Sequence, residues 1–320
     1  MTSTAPKQQN TWRKHQPVLA DAVLRLLDPQ PGKIIFDGTL GGGGHAKLLL
    51  EKGVFLFGCD RDPEAIACAK NILAPFADNL QIRHQCYDET FFNPESLDGI
   101  LIDLGVSSHQ LETPQRGFSF LHDGPLDMRM DTTTGRTAAD ILADATDNEL
   151  YKILITTEDS PAMRALARAL LAERRHTRFE TTRQLAAWVE KMSGSRWRRT
   201  HHPATLLFQS LRIAVNGELQ RLENFLNSSP GYLKPGGVLV IITFHSGEDR
   251  LVKKYFDKLS RLWLDTPAWP NSKHNPHRVA ELVTKKPIIP DAEEISKNPR
   301  ARSARLRAIR KLSVSIEQSP

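Results

Sequence analysis

A run of glycines and several carboxylates stand where this chain could do chemistry. Residues 33–36 read as a short buried strand, and Asp37 follows at once, then the glycine run 41–44. A strand, a glycine-rich turn and a helix start form a cradle in which backbone can approach a ligand closely. Gly41, Gly43 and Ala46 satisfy G-x-G-x-x-A, and Asp60 lies 19 residues beyond Gly41. An acid at that spacing binds ribose hydroxyls, so the ligand expected is an adenosine-bearing one. The spacing fits NAD as readily as S-adenosylmethionine. Two features separate them. Asp37 immediately before the turn suits a positively charged methionine end, and the turn Leu233-Lys-Pro-Gly-Gly before a late strand is common in methyltransferases and unusual in dehydrogenases. The phosphate-loop pattern G-x-x-x-x-G-K-[ST] is absent, which disfavours a nucleoside triphosphatase. A methyltransferase leads; an NAD-linked oxidoreductase and a non-catalytic RNA-binding protein are the alternatives.

The elements that must hold these residues alternate between helix and strand over the first hundred positions. Residues 18–27 carry a helical apolar stripe, and residues 33–36, 54–59, 81–86 and 99–104 read as strands. Pro63 suits the first turn of a helix. Such alternation indicates a parallel sheet covered on both faces. Residues 106–136 break the rhythm with Gly, Pro, Asp and Ser. Helices then follow without strands: 138–156, 161–174 capped by Ser160, and 183–192 capped by Thr181 or Thr182. A long helix from about Pro203 places Leu207, Leu211, Ala214, Leu222 and Phe225 on one side, and the α/β pattern returns at Tyr232. The expected organisation is a discontinuous α/β domain, residues 1–110 and 203–320, split by an all-helical insertion, residues 111–202.

Composition bounds the function. The chain has 40% apolar and 25% charged residues, ordinary for a globular protein. No apolar run approaches the roughly 18 residues a membrane helix needs. The first sixteen residues lack a signal-peptide core. Cys59, Cys68 and Cys86 form no C-x-x-C pair, which argues against a disulfide scaffold or zinc site and fits a cytoplasmic location. His201 and His202 lack matching ligands, so no metal is expected. The 43 Lys+Arg exceed 37 Asp+Glu by six, and the excess is concentrated in residues 164–199 and 295–316. Two basic segments far apart suggest a polyanionic partner; each also reads as the solvated face of one element. Residues 305–308 alternate basic and apolar, as on an edge strand with one wet face.

Longer motifs carry a resemblance. Gly38-Thr-Leu-Gly-Gly-Gly-Gly-His45, Asp98-Gly-Ile-Leu-Ile-Asp-Leu-Gly-Val-Ser-Ser108, Arg116-Gly-Phe-Ser-Phe, Gly124-Pro-Leu-Asp-Met-Arg-Met-Asp131, Phe208-Gln-Ser-Leu-Arg-Ile-Ala-Val-Asn216 and Phe244-His-Ser-Gly-Glu-Asp-Arg250 occur in order. From His15-Gln-Pro-Val-Leu to Asn298-Pro-Arg-Ala-Arg-Ser, the chain resembles the bacterial RsmH/MraW family of 16S ribosomal RNA cytosine-N4 methyltransferases. The resemblance implies a Rossmann-like class I fold, S-adenosylmethionine as cofactor and the 16S rRNA of the small ribosomal subunit as partner. It leaves a homodimer open. It places cofactor contacts on Gly43, Gly44, His45, Asp60, Tyr87, Asp103 and Gln110. The chain departs from the family pattern at His109 (usually Pro), Leu206 (usually Arg), Gly217 (usually polar or acidic) and Gly247 (usually Leu).

Cytosine N4 is a poor nucleophile, because its lone pair is conjugated into the ring. Transfer needs in-line alignment and an acceptor for an N4 proton. The target base must also leave its stack. Asp103 is the leading candidate for that acceptor. His245 and Asp249 are the second candidates, although Ser246-Gly-Glu-Asp249 also reads as a helix cap. Expected RNA contacts are Arg174, Arg175, Arg198 and Arg199 in the helical insertion, with Arg302 in the C-terminal segment. Arg129 faces RNA or pairs with Asp127 or Asp131.

Overall fold

Side-chain alternation along the central strands builds the molecule in layers. In the computed structural model, which describes residues 16–193, 204–264 and 273–313, strand β4 (Leu97–Asp103) is buried on both faces. Leu101 points into one apolar cluster, and Ile100 and Ile102 into another. Strand β5 (Leu233–Thr243) does the same, with Val238, Val240 and Ile242 on one side and Leu239 and Ile241 on the other. Such runs demand helices on both faces of a parallel sheet.

The remaining elements supply them. The first half contains α1 (Ala20–Leu27), β1 (Ile34–Asp37), α2 (Gly44–Leu50), β2 (Phe55–Asp60), α3 (Pro63–Ile72) and β3 (Leu80–His84). After β4 come α4 (Ser108–Glu112), α5 (Ala138–Asp144), α6 (Asp147–Leu154), α7 (Pro161–Glu173), α8 (Thr182–Ser193), α9 (Ala204–Asn216) and α10 (Glu218–Tyr232). Beyond β5 lie α11 (Ser246–Ser260), the short pair β6 (Trp263–Leu264) and β7 (Lys273–His274), then β8 (Ala280–Leu282), α12 (Ala292–Lys297) and β9 (Arg305–Lys311). The seven-stranded sheet runs β3-β2-β1-β4-β5-β9-β8. Strands β1 to β5 are parallel, and β9 is antiparallel to both its neighbours. The order reverses between β1 and β4, the switch point at which open α/β sheets bind ligands. Among the described residues no helix is long and apolar enough to cross a membrane.

A third apolar cluster, from Phe118 to Leu211, holds α5 to α8 against the first half of α9. The helical core thus extends past residue 202 into α9. Ser160 and Thr181 cap their helices as expected, accepting from the backbone N–H groups of Met163 and Gln184.

Three expectations about elements are corrected. The helix expected over 138–156 is two, because Thr146 caps a second helix start through the Glu149 N–H. The long helix from Pro203 breaks at Gly217, whose φ of 61° is left-handed backbone that glycine adopts without strain. The C-terminal basic strand is not an edge. β9 lies between β5 and β8, and its Arg307 is buried.

Candidate active site

The carboxyl ends of β1, β2, β4 and β5 open on one pocket of about 800 Å³. Its first wall is the glycine loop. Gly43 has φ +85° and serves as the N-cap of α2; a Cβ there would also stand 3.1 Å from Leu73. Asp60 ends β2 and is fixed by two backbone donors, Gly41 N–H to Oδ2 and Asp62 N–H to Oδ1, each 2.8 Å. Burial pushes its carboxyl up to about 6. Asp37 lies beneath the loop and does not wall the pocket. It accepts the Thr39 N–H, is 1% exposed, and burial raises it to about 7, against the opposing field of His45.

The second wall follows β4. Asp103 is set by its own N–H, which donates to Thr39 Oγ1 at 2.6 Å. Its Oδ2 stands 3.5 Å from His45 Nε2. His45 Nε2 and Asp103 Oδ1 are both buried and have no hydrogen-bond partner. Buried polar atoms are nearly always satisfied, so two neighbouring orphans on residues that line the pocket mark a place that a ligand completes. Gln110 is held at both ends of its amide: Oε1 accepts the Ser107 N–H, and Nε2 donates to Asp62 Oδ2. Tyr87 walls the pocket from the core side, its ring edge-on to Phe225 at 5.3 Å. All seven residues assigned to the cofactor by resemblance therefore meet in this one pocket.

The other candidates disperse. Asp249 is absent from the pocket wall. Its carboxylate takes Arg307 at two points, Nε to Oδ1 at 2.6 Å and Nη2 to Oδ2 at 3.2 Å, with Arg305 as a third donor. Burial alone would raise its pKa, but the two arginines hold it below the usual carboxylate range. The helix cap at α11 is made by His245 and Glu248: Nδ1 accepts the Glu248 N–H, and Glu248 Oε2 accepts the Phe244 and His245 N–H groups. Arg129 pairs with Asp127 through Nε and Nη2, both 2.8 Å. Arg174 caps α5, donating to Leu142 O and Ala145 O, and pairs with Asp147, so its guanidinium is engaged within the fold. Arg175 also meets Asp147 but is 66% exposed. Arg302 is exposed. Arg198, Arg199, His201 and His202 lie outside the described residues.

Sequence reasoning missed several residues that build the site. Arg116, 4% exposed, joins Asp62 and Glu64 at 2.9 Å each and donates to the carbonyls of Arg129 and Met130. It ties the 116–131 segment to the start of α3, beside Gln110. Asn216 receives the Met130 N–H and donates to Met128 O, fastening the end of α9 to the same segment. On the pocket's far wall, Arg212 clamps Glu218 through two bonds of 2.8 and 2.7 Å. Glu218, His245 and Glu248 bring donor atoms of metal-ligand type within 4.8 Å, but Arg212 already supplies the positive charge there. The motifs containing Arg116 and Asn216 were visible in the sequence; their partners, dozens of residues away, were not. His109 finds Glu64 Oε2 at 2.9 Å.

The switch-point pocket, the glycine cradle, the acid after β2 and the antiparallel strand beside β5 define a class I S-adenosylmethionine-dependent methyltransferase. The residues present fit that cofactor, since the cradle, Asp60 and the orphaned pair converge on one cavity. The chain belongs to the MraW methylase family, whose model matches residues 13–312. It is 44% identical to the ribosomal RNA small subunit methyltransferase H of Syntrophotalea carbinolica, over 93% of this chain and 98% of that protein. It is 41% identical to the protein of that name from Oleidesulfovibrio alaskensis (95% and 97%) and 43% to that from Thermomicrobium roseum (93% and 94%).

Proposed function

We infer that the chain methylates the exocyclic N4 of a decoding-centre cytidine in the 16S rRNA of the small ribosomal subunit. Membership of the MraW family, with near-full-length relatives named for the small-subunit RNA, supports the substrate class. The geometric observation that carries the chemistry is the unpartnered Asp103 Oδ1 at the end of β4.

The bound cofactor supplies an electrophilic methyl group on a sulfonium sulfur. Gly43, Gly44 and His45 hold its amino-acid end, Asp60 its ribose hydroxyls, and Gln110, braced by Asp62, lies on the wall nearby. Asp103 accepts a hydrogen bond from the target amine. Transfer would break the sulfur–methyl bond, leaving the neutral thioether, as the nitrogen–methyl bond forms; N4 would shed a proton, which the Asp103 carboxylate would take and return to solvent. The neighbouring His45 stabilises the carboxylate through Nε2.

The exposed Arg175 and Arg302, together with Arg198 and Arg199, supply phosphate contacts that orient the RNA. Exchanging Arg175, Arg198 and Arg199 for Glu should weaken RNA binding and flatten its salt dependence, with cofactor affinity intact. The reading is tested by incubating unmethylated 16S RNA or 30S subunits with tritiated S-adenosylmethionine and digesting the product to nucleosides. Label in N4-methylated cytidine supports it; label in any other nucleoside refutes it.

A further inference from the structure

Among the described residues, the Lys and Arg side chains that wall the cofactor pocket are Lys47, Arg61, Arg221 and Arg300. Two of these are engaged at the β2 and β3 end of the sheet. Arg61, one residue past Asp60, donates through Nη1 to Asn216 O at 2.7 Å. Arg221 is shared between Asp88 and Glu89 in the turn after β3, 2.8 Å from each.

Arg300 comes to the pocket from the other side, on a segment bound to the glycine loop through residues 17–19. Glu294 accepts the Leu19 N–H at 2.7 Å, and Ala301 packs in one apolar cluster with Val18, Leu19 and Ala46 of α2. Pro17 in turn lies against Gly44, where a Cβ would stand 3.4 Å from its ring. Arg300 Nη1 also stands 3.0 Å from Glu112 Oε1, at the end of α4 and two residues past Gln110. Arg300 therefore belongs to the stretch of wall between the start of α2 and α4. These elements flank the pair His45 and Asp103.

The amino-acid end of the cofactor is a zwitterion. Its ammonium suits a wall that carries Asp103, Glu218 and Glu248, but its carboxylate meets repulsion there and needs a cation beside it. A guanidinium matches a carboxylate at two points, where the ammonium of Lys47 is a point charge. Glu112 already shows a carboxylate seated on Arg300. That pair is 42% and 46% exposed, and pairs so exposed contribute little, so a ligand carboxylate can replace Glu112.

We propose that Arg300 binds the carboxylate of the cofactor's amino-acid end, exchanging Glu112 for the ligand. Asn298, on the same wall, offers an amide as a second donor. The proposal rests on the cofactor and is independent of the RNA target inferred above.

The test uses calorimetry with two probes: S-adenosylhomocysteine, and its decarboxylated analogue, which keeps the ammonium and lacks the carboxylate. Wild type should bind the analogue about tenfold more weakly, the scale of one charge-assisted hydrogen bond. Arg300→Ala should lower S-adenosylhomocysteine affinity by the same factor and leave the analogue's affinity unchanged. Should Arg300→Ala fail to fold, Arg300→Gln repeats the comparison. Lys47→Ala should bind both probes as wild type does. Glu112→Gln removes the rival carboxylate, so its S-adenosylhomocysteine affinity should equal or exceed that of wild type. Equal binding of the two probes by wild type overturns the proposal, as does unchanged S-adenosylhomocysteine affinity in a folded Arg300 variant. An equal loss for both probes in the Arg300 variant, with a parallel loss in Glu112→Gln, also overturns it, by making the pair a latch on the pocket. A loss confined to S-adenosylhomocysteine in Lys47→Ala, and absent in the Arg300 variant, gives the carboxylate to Lys47 instead.

Discussion

Asp103 Oδ2 stands 3.5 Å from His45 Nε2, and each side chain keeps one buried polar atom without a partner. One residue comes from the end of β4 and the other from the first turn of α2, so the sheet's switch point itself creates the pair. Asp103→Asn preserves the shape and removes the proton acceptor. It should lower single-turnover methyl transfer by about 10²-fold or more while S-adenosylhomocysteine still binds. Transfer at the wild-type rate would remove Asp103 from the chemistry.

Asp60 predicts a pH dependence of cofactor binding. Burial raises its carboxyl to about 6, and the ionised form is the better acceptor for ribose hydroxyls. Binding therefore favours the deprotonated state, and affinity for S-adenosylhomocysteine should fall as pH drops below about 6. Asp60→Asn should bind more weakly at neutral pH and lose that pH dependence. Calorimetric titrations between about pH 5 and 8 check both.

Asp37 makes a separate prediction about stability without cofactor. Its folded pKa, about 7, lies above the ordinary value of 3.8, so the folded state holds a proton that the unfolded chain releases. That contribution to stability is full below 3.8 and is lost as pH rises through 7. Asn at this position can still accept the Thr39 N–H and does not titrate. Relative to wild type, Asp37→Asn should therefore gain melting temperature as pH rises from about 5 to 8. A difference that does not change with pH would contradict this.

Arg307 and Asp249 predict the behaviour of a structural pair. Both side chains are 10% exposed, and they join β9 to α11. Asp249→Ala leaves a buried guanidinium with no carboxylate and should cost about 3 kcal/mol of stability in denaturant titration. S-adenosylhomocysteine affinity should not change. A large loss of affinity with little loss of stability would return Asp249 to the active site.

Much of this was legible along the chain, and its failures have a common cause. The glycine loop, Asp60 and Asp103 were readable because a strand ending in an acid before a turn is a local pattern. Ser160 and Thr181 were readable as caps for the same reason. Arg307 was misread because alternation along residues 305–308 signals a wet face only if nothing charged waits opposite. Asp249, 58 residues earlier, waits there, and β8 covers the outer edge. The partners that engage Arg174, the end of α5 and Asp147, could not be read because they precede it by a whole helix. Gly217 ended α9 against an unbroken apolar stripe, because Asn216 is tied to the backbone of Met128 and Met130. Chemistry carried by neighbours in sequence could be read; chemistry carried by neighbours only in space could not.

The most direct test is mass spectrometry of 16S rRNA from a strain lacking this gene, complemented with wild type or with Asp103→Asn. One decoding-centre cytidine should lose an N4 methyl group in the deletion, regain it with wild type, and not regain it with Asp103→Asn. A 16S rRNA whose cytidine methylation is the same with and without the gene would contradict the proposed reaction.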